Sequence, residues 1–352
     1  MKKIQVNPKE NRYDIIIDNN ILSKAGEYLE LVNDNKNIAV ITDENVFKLY
    51  GSKLKESLEK YGSRIHFIVV KPGEESKSIK TLSEVLDQLT EQSIKRSDLI
   101  VAFGGGVIGD LAGFVASIYL RGIDYVQIPT TLLSQIDSSI GGKTAINLRK
   151  GKNLAGTFYQ PKLVLIDPSI LNSLTDDCIK DGMGEVIKYA CIKDAQMFEK
   201  LTRIKSRKQL FDHIEYIIYT CCNIKRAIVE VDEKDTGLRM ILNFGHTLAH
   251  AIENYFNYQY SHGQAVGVGM YYITGKSEEL GYTKQGTAQR IKDVLMNFNM
   301  EYSIKNVDDE YIRKTIKLDK KNIKDNINLI LLNKIGDCFI EKVPEKNIST
   351  FF

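Results

Sequence analysis

The sequence has 352 residues, 43% of them hydrophobic and 26% charged, which is enough chain to bury a large core and to form two domains. With 48 Lys and Arg against 45 Asp and Glu the net charge is only +3, which argues against a polybasic nucleic-acid-binding tail. No apolar run approaches the roughly 20 residues that cross a bilayer, the opening MKKIQVNPKENRYD lacks a signal-peptide core, and the cysteines (Cys178, Cys191, Cys221, Cys222, Cys338) are odd in number with no C-x-x-C spacing. A reduced, cytoplasmic protein without nucleic-acid or membrane partners is expected.

After a strand-like opening segment and the apolar run 14–17, residues 37–42 predict a buried strand ending at Asp43. A helix over about 46–61 leads to a strand at 65–70, and a helix over about 79–92 leads to a strand at 98–103 that runs into Gly104. Strands alternating with helices predict a mostly parallel sheet covered on both faces. From about 178 to 302 nearly every segment has helical spacing, including 183–205, 209–231 and 244–258. We therefore expect an α/β dinucleotide-binding domain over 1–172, followed by an all-α domain over 173–352 that binds metal and substrate. No internal repeat or low-complexity tract interrupts this plan.

Ten of the 25 glycines fall between Gly104 and Gly156. Phe103-Gly104-Gly105-Gly106-Val107-Ile108-Gly109-Asp110 follows a strand and opens a helix, the context that G-x-G-x-x-G requires. Either a tight turn or a pyrophosphate seat at a helix N-terminus would use those glycines. A ribose-binding acid about 20 residues downstream is missing, and the acid at a strand end lies upstream, at Asp43. The segment 129–144 is rich in hydroxyls and ends Gly141-Gly142-Lys143-Thr144, but Ser138 stands where a Walker A loop needs glycine. Lys143, Arg149, Lys150 and Lys152 follow without an intervening acid, as a solvated face or a phosphate cradle would.

Three of the five histidines fall between His246 and His262. His246 and His250 are spaced i, i+4 and share one helix face, and His262 follows after a short interval. With Glu185 as a candidate carboxylate, this set suits a metal or an acid/base site. No Glu follows His246, so the metalloprotease H-E-x-x-H does not apply.

In order and spacing the chain resembles the 3-dehydroquinate synthase family over almost its whole length. The matching stretches are Pro72-Gly73-Glu74-Glu75-Ser76-Lys77, the segment Gly104 to Asp110, Arg121-Gly122, Gln127 to Leu133, Asp137 to Thr144, Gly151-Lys152-Asn153, Gly184-Glu185-Val186-Ile187-Lys188, Asp232-Glu233-Lys234, Gly237-Leu238-Arg239 and Leu242 to Thr247. The resemblance implies a dehydroquinate synthase-like fold and an NAD-dependent enzyme using Zn2+ or Co2+. Its expected reaction converts 3-deoxy-D-arabino-heptulosonate 7-phosphate to 3-dehydroquinate and phosphate, in the shikimate pathway to aromatic amino acids. Transient oxidation, phosphate elimination, re-reduction and intramolecular aldol closure are the implied steps, which makes it a carbon–oxygen lyase.

By the same resemblance Glu185, His246 and His262 are metal ligands, and His250 moves protons. Asp43, Gly73, Glu74, Lys77, Gly105, Gly106, Val107, Ile108, Gly109, Asp110, Thr130 and Thr131 match positions that hold NAD, with Ser173 where threonine is usual. Asp137, Asn153, Lys188, Lys225, Arg239 and Asn243 match substrate positions, and Lys143 and Lys152 are expected to touch both substrate and cofactor. Lys143, Lys152, Lys188, Lys225 and Arg239 join His250 as catalytic candidates. Asp319-Lys320-Lys321-Asn322 resembles a late lysine motif in which either Lys320 or Lys321 faces the substrate, and Arg121 matches an arginine that serves the neighbouring subunit of a homodimer.

Departures fall at Asn147 to Lys150, at Leu174 to Asp177 and at Leu248-Ala249, none of them a chemical position. Three other readings compete: a related cyclase such as an inosose or valiolone synthase, an iron-type polyol dehydrogenase, and a nucleotide-binding sensor without catalysis. Arg239 and Asn243, suited to a carboxylate, favour the heptulosonate over other sugar phosphates.

Overall fold

The structure, a computed structural model, describes all residues except 10, 35, 36, 257, 258, 305–309, 312–314 and 317–325. Two compact units divide the chain: residues 1–174 with 225–234, and residues 175–224 with 235–352.

The first unit is built on a seven-stranded sheet. Its strands in chain order are β1 (Lys2–Val6), β2 (Tyr13–Ile17), β3 (Asn37–Asp43), β4 (Arg64–Val70), β5 (Leu99–Gly104) and β6 (Tyr125–Pro129), followed after the hairpin β7 (Lys143–Leu148) and β8 (Gly151–Phe158) by β9 (Leu163–Ile166). The sheet order is β1-β2-β9-β6-β5-β3-β4, parallel throughout except where β1 pairs with β2. Helices α1 (Ala25–Glu30), α2 (Glu44–Glu59), α3 (Ile79–Glu91) and α4 (Gly106–Ile118) accompany it.

Alternation along β3 shows why its composition is apolar throughout. Ile38 and Val40 pack in one core with Leu54 and Leu58 of α2, while Ala39 and Ile41 pack in another with Val85 of α3 and Leu111 of α4. A strand covered on both faces has no solvent side on which to place polar residues. The helix expected from about 46 begins at Glu44, because the Asp43 carboxylate accepts from the backbone N–H groups of Asn45 (2.9 Å) and Val46 (3.0 Å) and caps it.

The second unit carries α5 (Asp176–Lys193), α6 (Ala195–Arg203), α7 (Arg207–Asp212), α8 (Ile214–Val231, whose end belongs to the first unit), α9 (His246–Tyr255), α10 (His262–Glu279) and α11 (Thr287–Asn297). The helical expectation holds, with one correction to "all-α": an antiparallel hairpin, β10 (Asn326–Lys334) and β11 (Asp337–Pro344), follows. Its apolar residues Ile327, Leu329, Ile330, Leu331 and Leu332 are buried, and Gly336 at φ 85° turns the chain. The helical run 183–205 is broken at Asp194, which leaves helical geometry and accepts from Met197 N–H to start α6.

Candidate functional site

In the first unit the glycine-rich loop joins β5 to α4. Gly105 is the N-cap of α4 and offers no side-chain cap, so the first backbone N–H groups of the helix stay uncovered by the chain's own cap. A Cβ on Gly105 would lie 3.1 Å from Thr131, and one on Gly106 would lie 3.1 Å from Ser138, so larger residues would crowd the loop. Val107, Ile108 and Gly109 continue α4, and Asp110 stands one turn in. The N–H of Thr130 donates to the Gly104 carbonyl at 3.0 Å, which ties the segment after β6 to the same loop.

Lys77 draws several of the expected residues together. It is 4% exposed, and its ammonium donates to Asp110 at 2.7 Å and to Asn153 at 2.5 Å, with Glu74 at 3.8 Å. Burial pushes the Asp110 carboxyl up, and Lys77 works against that. Glu74 in turn accepts from Asn147 at 2.8 Å, just after Gly73 at φ 104°. The hairpin β7–β8 thus delivers Asn153, from the lysine-rich segment, to the ammonium that also pairs with Asp110. Lys143 and Lys152 lie on its two strands.

Asp137 sits in the π-helical turn Ser134–Ser138 and accepts from Lys225 at 2.8 Å, while its backbone carbonyl takes the same ammonium at 2.7 Å. Asp43, besides capping α2, lies at the end of β3. Ser173 closes the turn after β9 and donates to the Ile170 carbonyl. Arg121 is exposed in a run of three left-handed residues, Leu120, Arg121 and Gly122.

In the second unit Glu185, His246 and His262 present ligand atoms within 4.8 Å of one another. Glu185 Oε1 is 3.3 Å from Nε2 of His246 and 3.4 Å from Nε2 of His262. That oxygen is buried and has no hydrogen-bond partner among the described residues, whereas Oε2 is taken by the Lys188 ammonium. An orphaned carboxylate oxygen facing two imidazole nitrogens fits a divalent cation of the zinc or cobalt kind. Burial alone would raise the Glu185 carboxyl, but Lys188 and His246 outweigh it and hold it well below the usual range. Burial brings His246 down to about 4, so it is neutral at pH 7. Burial would also lower His262, yet Glu185 and Glu253 push it up to about 10. His250 stands one turn beyond His246, ring centroids 5.7 Å apart, outside the triad.

Backbone contact sets this geometry. A Cβ on Gly184, beside Glu185, would stand 2.2 Å from the Gly263 carbonyl oxygen, and one on Gly263, beside His262, 1.8 Å from that of Asp181. The Asp181 carboxylate also accepts from Gly263 N–H at 2.7 Å, fastening the start of α10 to α5. Gly245 and Gly269 make a second such seam, where a Cβ on Gly269 would stand 2.1 Å from the Gly245 oxygen. Arg239 is buried at 2% in the turn Leu238–Asn243, which ends on Asn243.

Two residues of this unit escape sequence reasoning. Glu253 reaches His262, and Asp181 anchors α10; both carry a usable signal, since Glu253 lies at i+7 from His246 and Asp181 at i−4 from Glu185. Lys320 lies outside the described residues.

Two family models match successive parts of the chain. The family model described as 3-dehydroquinate synthase N-terminal matches residues 67–181, and that described as 3-dehydroquinate synthase C-terminal matches residues 182–322. A 3-dehydroquinate synthase of Clostridium acetobutylicum is 50% identical over 98% of this chain and 98% of its own. Among solved structures, a 2-deoxy-scyllo-inosose synthase complexed with carbaglucose-6-phosphate, NAD+ and Co2+ superposes with a TM-score of 0.87 at 25% identity, covering 100% of both chains. The 2-epi-5-epi-valiolone synthase of Streptomyces hygroscopicus subsp. jinggangensis 5008, with NAD+ and Zn2+ bound, gives 0.86 at 26% identity over 97% of this chain and 96% of its own.

Proposed function

The chain belongs to the 3-dehydroquinate synthase family, and we infer from that membership and from its side-chain geometry that it converts 3-deoxy-D-arabino-heptulosonate 7-phosphate to 3-dehydroquinate and phosphate. The observation that carries the reading is the convergence of Glu185, His246 and His262 on one point, with a buried carboxylate oxygen left for a cation. When bound, NAD supplies reversible hydride acceptance, and the divalent cation supplies Lewis acidity toward adjacent hydroxyls.

The chain's own residues supply the rest. The α4 N-terminus with Gly105 and Gly106 suits a pyrophosphate, with Asp43, Gly73, Glu74, Lys77, Thr130, Thr131 and Ser173 as further cofactor contacts. Lys143, Lys152 and Lys225 carry positive charge for a phosphate, and Arg239 with Asn243 offers planar donors for a carboxylate. His250, outside the triad, suits proton transfer. Elimination of phosphate makes the enzyme a carbon–oxygen lyase.

The protein acts as a cytoplasmic homodimer in this reading. None of the five cysteines forms a disulfide, as in a reducing compartment, and the exposed Arg121 is available to a second copy. No helix among the described residues is long and apolar enough to cross a membrane.

Purified protein given NAD and zinc should release inorganic phosphate from the heptulosonate phosphate with no net NADH, and chelator should stop it. Release from glucose 6-phosphate with formation of an inosose, and none from the heptulosonate, would overturn the assignment.

A further inference from the structure

The two imidazoles of the triad are supported from behind in different ways. Each turns Nε2 toward Glu185, and for His246 the opposite nitrogen, Nδ1, donates to the Phe244 carbonyl at 3.1 Å. Behind His262 stands a side chain instead: Nδ1 is 3.5 Å from Oε1 of Glu253. Glu253 is 6% exposed on α9, and a carboxyl buried to that degree needs a donor to meet it. An imidazole offers its Nε2 lone pair to a cation only if the proton rides on Nδ1. An anionic acceptor behind Nδ1 selects that tautomer, fixes the ring plane and makes Nε2 a stronger donor of electrons.

We infer that Glu253 is a positioning residue, holding His262 in the tautomer and orientation that a divalent cation needs at Glu185 and His246. The inference rests on the reading of those three residues as the cation site. It adds to that site a carboxylate from α9, the helix that already supplies His246, so that one helix contributes a ligand and steers another.

The test strips the full-length protein with chelator and titrates it with Co2+, whose visible absorption reports ligand geometry. Parent, Glu253→Ala and Glu253→Gln are compared, with His262→Ala marking loss of the ligand itself. Glu253→Ala should weaken Co2+ binding by about 10- to 100-fold and alter the visible bands. Glu253→Gln still accepts a hydrogen bond but lacks the charge, so its affinity should fall between the two. Thermal unfolding of the chelated proteins separates loss of orientation from loss of fold; if the alanine variant does not fold, the glutamine variant decides by its affinity and bands. Parent-like affinity and spectrum in the glutamine and alanine variants would overturn the role of Glu253 and leave the triad standing. A parent that takes up no Co2+, or takes it up equally without His262, would overturn the triad and this inference together.

Discussion

Lys188 donates to one oxygen of Glu185 from one turn along α5, and both side chains are buried, at 2% and 1%. The pairing neutralises the carboxylate on one side and leaves its other oxygen for the two histidines. Lys188→Met keeps the bulk and removes the charge. A buried acid left without its cation should cost about 3–5 kcal/mol in the metal-free protein, read by chemical denaturation. Added zinc should recover part of that loss, because it supplies positive charge to the same carboxylate.

Lys77 and Asp110 should behave as one unit. Lys77→Met and Asp110→Asn are each expected to weaken NAD binding at least about tenfold, while metal content stays at the parent level. The double variant should be less damaged than the sum, with a coupling of about 1–3 kcal/mol in a cycle of calorimetric NAD titrations. Full additivity would show that the 2.7 Å contact carries no binding energy.

Glycine substitutions should separate close approach from helix propensity. Gly184→Ala and Gly263→Ala each force a methyl into backbone, so stability should drop by about 1–3 kcal/mol or more, and bound metal should be lost with it. Gly275, on α10 with nothing among the described residues within 4 Å of an added Cβ, is the control. Gly275→Ala should leave the metal in place and raise stability by about 0.5–1 kcal/mol. Melting curves and metal analysis on the three variants decide the matter.

The thiols should divide by burial. Burial pushes the Cys338 thiol up to about 11 and raises Cys191 as well, so at pH 8 only ~0.1% of Cys338 is thiolate, the reactive form. Cys221 and Cys222 are buried, and Cys178 is exposed. A thiol-exchange reagent at pH 8 should therefore modify Cys178 quickly, Cys338 slowly, and Cys191, Cys221 and Cys222 only on unfolding, which peptide mass mapping would show.

Much of the first unit is legible along the chain because both-face burial leaves a simple mark: unbroken apolar runs such as Ile38 to Ile41 between helical stretches. The hairpin β10–β11 is less legible, since its register depends on a turn at Gly336 and on what covers each face, which the chain alone does not disclose. At the site, histidine scarcity points to the region where Glu185, His246 and His262 come together. Spacing alone, however, places His246 and His250 on one face and cannot say which turns toward Glu185. That choice depends on where α5 and α10 meet α9, a matter of tertiary packing. Glu253 escapes for a related reason: an acid at i+7 becomes meaningful only once His262, from another helix, is known to lie against it.

The seams at Gly184 with Gly263 and at Gly245 with Gly269 already carry the smallest residue available. Variation there is one-sided. Every replacement adds volume and drives the helices apart, and none can draw them together. A lineage or an engineer seeking a tighter cage for a smaller ion has no move left at these positions and must alter the ligands or their supports instead.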